Sequence, residues 1–267
     1  MNVAQAIDRL KADPSFRLNL TAWKTIPARP ARYSGFPDSL DPRLVTALRR
    51  RGIHDLYTHQ HDAIQAVLEG GDICVVTPTA SGKTLCYNVP VLNTLLENAN
   101  ARALYLFPTK ALSQDQVAEL QTLVDGLKVK IGTYTFDGDT PASARKAIRI
   151  AGHIVVTNPD MLHTGILPQH TIWMKLFENL DYVVIDDLHH YRGVFGSHLA
   201  NVLRRLKRIC AFYGSDPTFI CCSATIHNPK EMAERIIEKP VRLIDNNGAP
   251  AGERHFLFYN PPVVNAE

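Results

Sequence analysis

Eight consecutive residues, Thr77-Pro78-Thr79-Ala80-Ser81-Gly82-Lys83-Thr84, are the stretch of this 267-residue chain whose chemistry is easiest to read. They follow the pattern G-x-x-x-x-G-K-[ST], with Thr77 in the place of the first glycine. Such a loop turns successive backbone N–H groups towards an anion, and a helix beginning behind it adds a favourable dipole. Thr79, Ala80, Ser81 and Gly82 are therefore candidate phosphate contacts, with Gly82 letting the backbone approach without a Cβ. Lys83 is suited to neutralise β- and γ-phosphates, and Thr84 to offer its hydroxyl to Mg²⁺. A nucleotide held this way needs a carboxylate at the end of a neighbouring strand. Tyr182-Val183-Val184-Ile185 runs directly into Asp186-Asp187-Leu188-His189. Asp186 is the candidate metal ligand, and Asp187 stands beside the place of an attacking water, which makes it the candidate catalytic base alongside Lys83.

These residues can act together only if strands deliver them to one edge of a sheet. Apolar, β-branched runs predict strands at Ile73–Thr77, Ala103–Phe107, Val129–Tyr134, Ile154–Thr157, Tyr182–Ile185, Phe219–Ser223 and Val241–Ile244. Helix-period segments fall between them at 42–51, 59–69, 83–97, 110–124, 141–150, 171–178, 197–213 and 229–237. The strands read as continuous apolar runs, as expected when helices cover both faces of a parallel sheet. The expected fold class is α/β, a mostly parallel sheet with helices on both faces, in which ligands bind beyond the carboxyl ends of the strands. Residues 1–40 are expected to form an irregular extension, because Pro14, Pro27, Pro30 and Pro37 interrupt any long helix. Residues 41–250 are read as the domain proper, and 251–267 as a linker leading out of it.

Composition narrows the class. Hydrophobic residues make up 45% and charged residues 21%, which excludes a mostly disordered chain. No apolar run approaches the ~18 residues of a membrane span, and the N-terminus lacks the apolar core of a secretory signal. The expectation is a soluble, cytoplasmic protein with no membrane partner. A net charge of +3 neither demands nor opposes a nucleic acid. Cys74, Cys86, Cys210, Cys221 and Cys222 contain no C-x-x-C pair and read as core residues in a reducing compartment.

Four further segments complete a set: Tyr57-Thr58-His59-Gln60, Pro108-Thr109-Lys110-Ala111-Leu112, Thr157-Asn158-Pro159-Asp160 and Ser223-Ala224-Thr225. With the phosphate loop and Asp186-Asp187-Leu188-His189, their order resembles the motifs of the first RecA-like domain of superfamily 2 DExH-box helicases, between about residues 43 and 245. Tyr191-Arg192-Gly193-Val194-Phe195-Gly196-Ser197-His198 and Tyr213-Gly214-Ser215-Asp216-Pro217 resemble the mitomycin repair factor A family and its RecQ4-like fungal relatives. The resemblance implies an ATP-dependent 3′-to-5′ DNA helicase of DNA repair, with ATP and Mg²⁺ as cofactors and single-stranded or partly duplex DNA as partner. It also implies a second RecA-like domain, absent here, that supplies arginines; 251–267 would be its entrance, and the chain a fragment nearly inactive alone.

Each motif has a physical reading. The Gln60 amide can pair bidentately with adenine N6 and N7, or simply serve a helix N-terminus. Thr109, Lys110, Thr157 and Asn158, at strand ends, suit a single-stranded phosphate backbone. The resemblance implies that His189, Ser223 and Thr225 link nucleotide state to strand contacts. Asp187 stands where the family pattern has Glu. Two alternatives stay open at this point: an RNA helicase of the same superfamily, and a nucleotide-gated nucleic-acid binder that does not hydrolyse. The basic run Arg204-Arg205-Leu206-Lys207-Arg208 reads as the solvated face of a helix.

Overall fold

The computed structural model describes residues 2–262, without the side chains of Ala111 and Leu112. The chain begins with α1 (Val3–Ala12), α2 (Pro14–Asn19) and β1 (Leu20–Ile26). The prolines therefore punctuate ordered elements: Asp13 ends α1 and caps α2 with its carboxylate, and Pro14 occupies the first turn, where a missing N–H is harmless. The short β2 (Tyr33–Ser34) and α3 (Pro42–Arg50) follow, then β3 (Leu56–Tyr57) and α4 (Thr58–Leu68). From there strands and helices alternate: β4 (Ile73–Val76), α5 (Lys83–Glu97), β5 (Arg102–Leu106), α6 (Lys110–Leu127), β6 (Thr133–Thr135), α7 (Ala142–Ala151) and β7 (Ile154–Thr157). The second half holds α8 (Pro159–Met161), α9 (Met174–Glu178), β8 (Leu180–Ile185), α10 (Gly193–Tyr213), β9 (Thr218–Ser223), α11 (Pro229–Ile237), β10 (Arg242–Ile244) and β11 (Arg254–Tyr259).

Residues 32–249 make one compact unit; residues up to 31, with those from 250 onward, make another. In the second of these, β1 and β11 pair antiparallel, Trp23 opposite Leu257, although more than two hundred residues separate them. No local signal carries that pairing, which is why the sequence treats the two terminal stretches separately. Residues 263–267 of the stretch 251–267 lie outside the described residues.

The large unit is built on a seven-stranded parallel sheet in the order β10-β4-β9-β8-β5-β7-β6. Although the strands are apolar throughout, their residues alternate between two cores. Val75, Tyr105, Val156, Val184 and Cys222 pack with the helices on one face; Cys74, Leu104, Leu106, Val183 and Cys221 pack with those on the other. All five cysteines are free and buried, and burial raises their thiol pKa values (Cys74 and Cys86 to about 12), which leaves them as packing groups.

Residues 1–40, expected to be irregular, instead form α1, α2, β1 and β2, because the prolines fall at element starts or between elements. Three further elements depart from expectation. The strand predicted from Val129 begins only at Thr133, because the preceding Gly132 amide donates to His153 Nδ1 and not to a ladder. The helix predicted over 171–178 is preceded by tight and wide turns from Leu162 to Trp173 around Pro168, and is regular only from Met174. Helix α10 starts four residues early, at Gly193, whose φ of +56° only glycine adopts freely.

Candidate nucleotide site and nucleic-acid edge

The loop between β4 and α5 folds as the spacing predicts, and two residues set its shape. Gly82 has φ +79°, and a Cβ there would come within 2.5 Å of Gln60 Nε2. Ala80 also lies at positive φ, +60°, so the loop curls through two left-handed positions and turns its backbone inward. Lys83 folds back, its Nζ donating to the carbonyls of Thr77 (2.9 Å) and Pro78 (3.0 Å). Thr77 and Ser81 share a hydroxyl–hydroxyl hydrogen bond of 2.6 Å, so the threonine in the first glycine position helps close the loop.

Asp186 ends β8 on the same edge. It is buried, which together with the neighbouring Asp187 carboxylate pushes its pKa up to about 6. The Tyr87 hydroxyl lies 3.1 Å from Asp186 Oδ2 and equally near Gln116 Oε1, which also accepts from the Thr84 hydroxyl (3.1 Å). Tyr87 and Gln116 carry no sequence signal: each is a single polar residue on an otherwise ordinary helix. Asp187 adopts a left-handed conformation, φ +50° and ψ +44°, with its N–H donating to Asp186 Oδ1 at 2.8 Å. Its carboxylate lies 3.9 Å from His189 Nδ1. His189 in turn accepts from the Ala224 N–H at 3.4 Å, joining the segment after β8 to that after β9. Burial holds the His189 pKa below its ordinary value.

Two adjoining clefts take shape around these groups. One, of about 490 Å³, is lined by Lys83, Thr84, Gln116, Asp186, Asp187 and His189. The other, of about 560 Å³, is lined by Tyr33, Ile53, Tyr57 and Gln60 and shares Ala80–Gly82 with the first. Pairing of β2 with β3 stacks Tyr33 on Tyr57, centroids 5.3 Å apart, an aromatic wall of which the sequence signalled only the Tyr57 half. Gln60 bridges the clefts: Oε1 accepts the Tyr57 N–H and Nε2 donates to the Gly82 carbonyl, each at 2.9 Å.

The remaining predicted residues are distributed unevenly. Ser223 is buried, its hydroxyl without a partner among the described residues, and Thr225 is exposed. Thr109 and Lys110 are exposed at the end of β5, Lys110 pairing with Asp139. Asn158 caps α8 by accepting the Met161 N–H at 2.8 Å. Thr157 is buried and donates its hydroxyl to the Phe136 carbonyl at 2.6 Å, so any strand contact there falls to its neighbours.

A parallel sheet with a phosphate loop after one strand and an acidic pair after another, all at the same edge, defines a RecA-like P-loop nucleotide-binding domain. The model of the DEAD/DEAH box helicase family matches residues 57–232, and the chain belongs to that family. It is 58% identical to the uncharacterized ATP-dependent helicase YprA of Bacillus subtilis (strain 168) over 98% of its own length and 35% of the relative's. It is 38% identical to the ATP-dependent helicase HRQ1 of Saccharomyces cerevisiae, over 98% of this chain and 24% of that one. A crystal structure of the DUF1998 helicase MrfA bound to DNA and AMPPNP superposes with a TM-score of 0.95 at 57% identity, covering 99% of this chain and 37% of that one. The chain thus spans about a third or less of the relatives it resembles. Among the described residues, no helix is long and apolar enough to cross a membrane.

Proposed function

We propose that this chain is the first motor domain of an ATP-dependent, 3′-to-5′ DNA helicase of DNA repair, binding ATP and Mg²⁺ in the paired clefts. The observation that carries the reading is the convergence of Lys83, Thr84, Asp186 and Asp187 on one cleft. The residues fit a divalent cation held jointly with phosphates. Asp186 is a buried carboxylate whose charge is opposed by Asp187, and it shares its cleft with the Thr84 hydroxyl, an oxygen pair suited to a hard cation. When bound, Mg²⁺ would neutralise phosphate charge, with Thr84 and Asp186 as its protein ligands. Lys83 exchanges its two carbonyl acceptors for phosphate oxygens, and the N–H groups of the 79–84 loop supply the rest of the cradle. Gln60 keeps one N–H and one lone pair uncommitted, enough for an adenine edge lying against Tyr33 and Tyr57. Asp187 accepts the proton of the attacking water. His189, bonded to Ala224, relays the arrangement to Ser223 and Thr225. Thr109, Lys110 and Asn158, with the backbone at Thr157, hold single-stranded or partly duplex DNA. A second RecA-like domain, in the part of the relatives that this chain does not cover, completes the hydrolytic site.

Lys83→Ala tests the reading. Losing one charge-assisted contact, worth ~1.5–3 kcal/mol, should weaken ATP binding about 10- to 100-fold with the fold intact. Titration of a fluorescent nucleotide checks it, and affinity equal to that of the unmodified chain would refute the phosphate loop.

A further inference from the structure

Helix α10 carries the basic run 204–208, and the structure divides its cations into two kinds. Arg204 and Lys207 are tied to the Glu238 carboxylate, at 2.7 and 3.2 Å. Arg205 and Arg208 form no ion pair or hydrogen bond among the described residues, and both line a groove of about 330 Å³. The groove runs between α10 and the turns after Asn158, whose His163 faces it. Phe195, His198, Arg205 and Arg208 recur at intervals of three, seven and three residues, one stripe of an α-helix roughly 20 Å long. Phe195 is 37% exposed although its ring packs at a tilt against Tyr191, ring centroids 5.1 Å apart, so part of the ring is held in place while part stays open to solvent. The one carboxylate lining the groove is Asp160, at the end nearest Asn158.

We infer that this groove is a second track for single-stranded nucleic acid, continuing the strand beyond Asn158. Arg205 and Arg208 hold successive phosphates, and a base stacks on Phe195. Unpaired cations spaced along a groove with a supported aromatic ring beside them are the combination that binds a single strand without reading its sequence. The inference rests on the proposed DNA-binding function but names a surface outside its motifs.

The test is fluorescence anisotropy of a labelled oligo-dT strand with the 267-residue chain, across a range of salt concentrations. Replacing both arginines (R205Q/R208Q) should weaken binding about tenfold or more. It should also reduce the slope of log affinity against log salt by about 1.4, since each single-strand phosphate contact contributes about 0.7. A charge-matched control, K207Q/K230Q, alters cations that already have carboxylate partners and should change neither quantity. Phe195→Ala should weaken the oligo-dT complex but not that with an abasic strand of equal length. If R205Q/R208Q binds as the unmodified chain does, or both double variants lose affinity equally, the track is wrong and the motif-based function stands. If the unmodified chain binds no single strand, both fall.

Discussion

Asp187 carries the least ordinary chemistry in the site. It stands where the family resemblance implies Glu, and one methylene fewer withdraws the carboxylate by about 1.3 Å, given C–C bonds of ~1.5 Å. Its left-handed backbone favours the short side chain, since Asp bonds locally in that region more readily than a longer residue does. A misplacement of ~1 Å can cost on the order of 10²-fold in rate. With Asp187 as the proposed base, Asp187→Glu should therefore raise single-turnover hydrolysis, by up to that factor, while nucleotide affinity stays within about twofold, because the roles proposed for Lys83, Thr84 and Asp186 do not depend on the base. Equal or slower hydrolysis with Glu would mean that the left-handed turn already brings Asp187 into reach.

At the scale of elements, α4 is the hub. Its His59 is fully buried, with Nδ1 accepting the Gly248 N–H at 3.2 Å, so the ring proton resides on Nε2 and the imidazole is neutral. Burial lowers its pKa to about 4. The unfolded chain takes up a proton near pH 6.5 while the folded one does not. The stabilising contribution is thus complete above pH 6.5 and is lost as the pH falls towards 4. Asp186, with its pKa raised to about 6, acts in the opposite sense below pH 6, so the His59 contribution is read as a difference between proteins. Unfolding free energies from urea titrations should show the unmodified chain losing about 1.4 kcal/mol per pH unit relative to His59→Gln as the pH falls across that window, whatever the offset at neutral pH. This hub was hidden in the sequence. Gln60 was legible because its neighbours form a motif, whereas the contacts of His59 reach Gly248, 189 residues away. The same contrast holds elsewhere. Strands β4, β5, β7, β8 and β9 were legible from apolar runs that end in chemistry-bearing residues. The β1–β11 pairing, the Tyr33 wall and the Tyr87–Gln116 bridge depend on long-range contacts that no local pattern encodes.

On the scale of the whole sheet, its order sorts the chemistry. The proposed phosphate and metal residues follow β4 and β8, the proposed coupling residues lie at the end of β9 between them, and the proposed DNA residues follow β5 and β7 alongside. Strands β4, β9, β8 and β5 each have a neighbour on both edges, and their side chains are buried in the two cores on either face. Such strands cannot open locally, because exposing one breaks two ladders and both cores. The slab is a stiff chassis, and conformational response is confined to the loops mounted on its rim. Amide hydrogen exchange will record this as two populations. Amides of Val75, Val183 and Ile220 should exchange only through global unfolding, at rates that nucleotide alters no more than it alters overall stability. Amides of residues 79–84 should exchange quickly in the free protein and slow selectively when nucleotide fills the cleft.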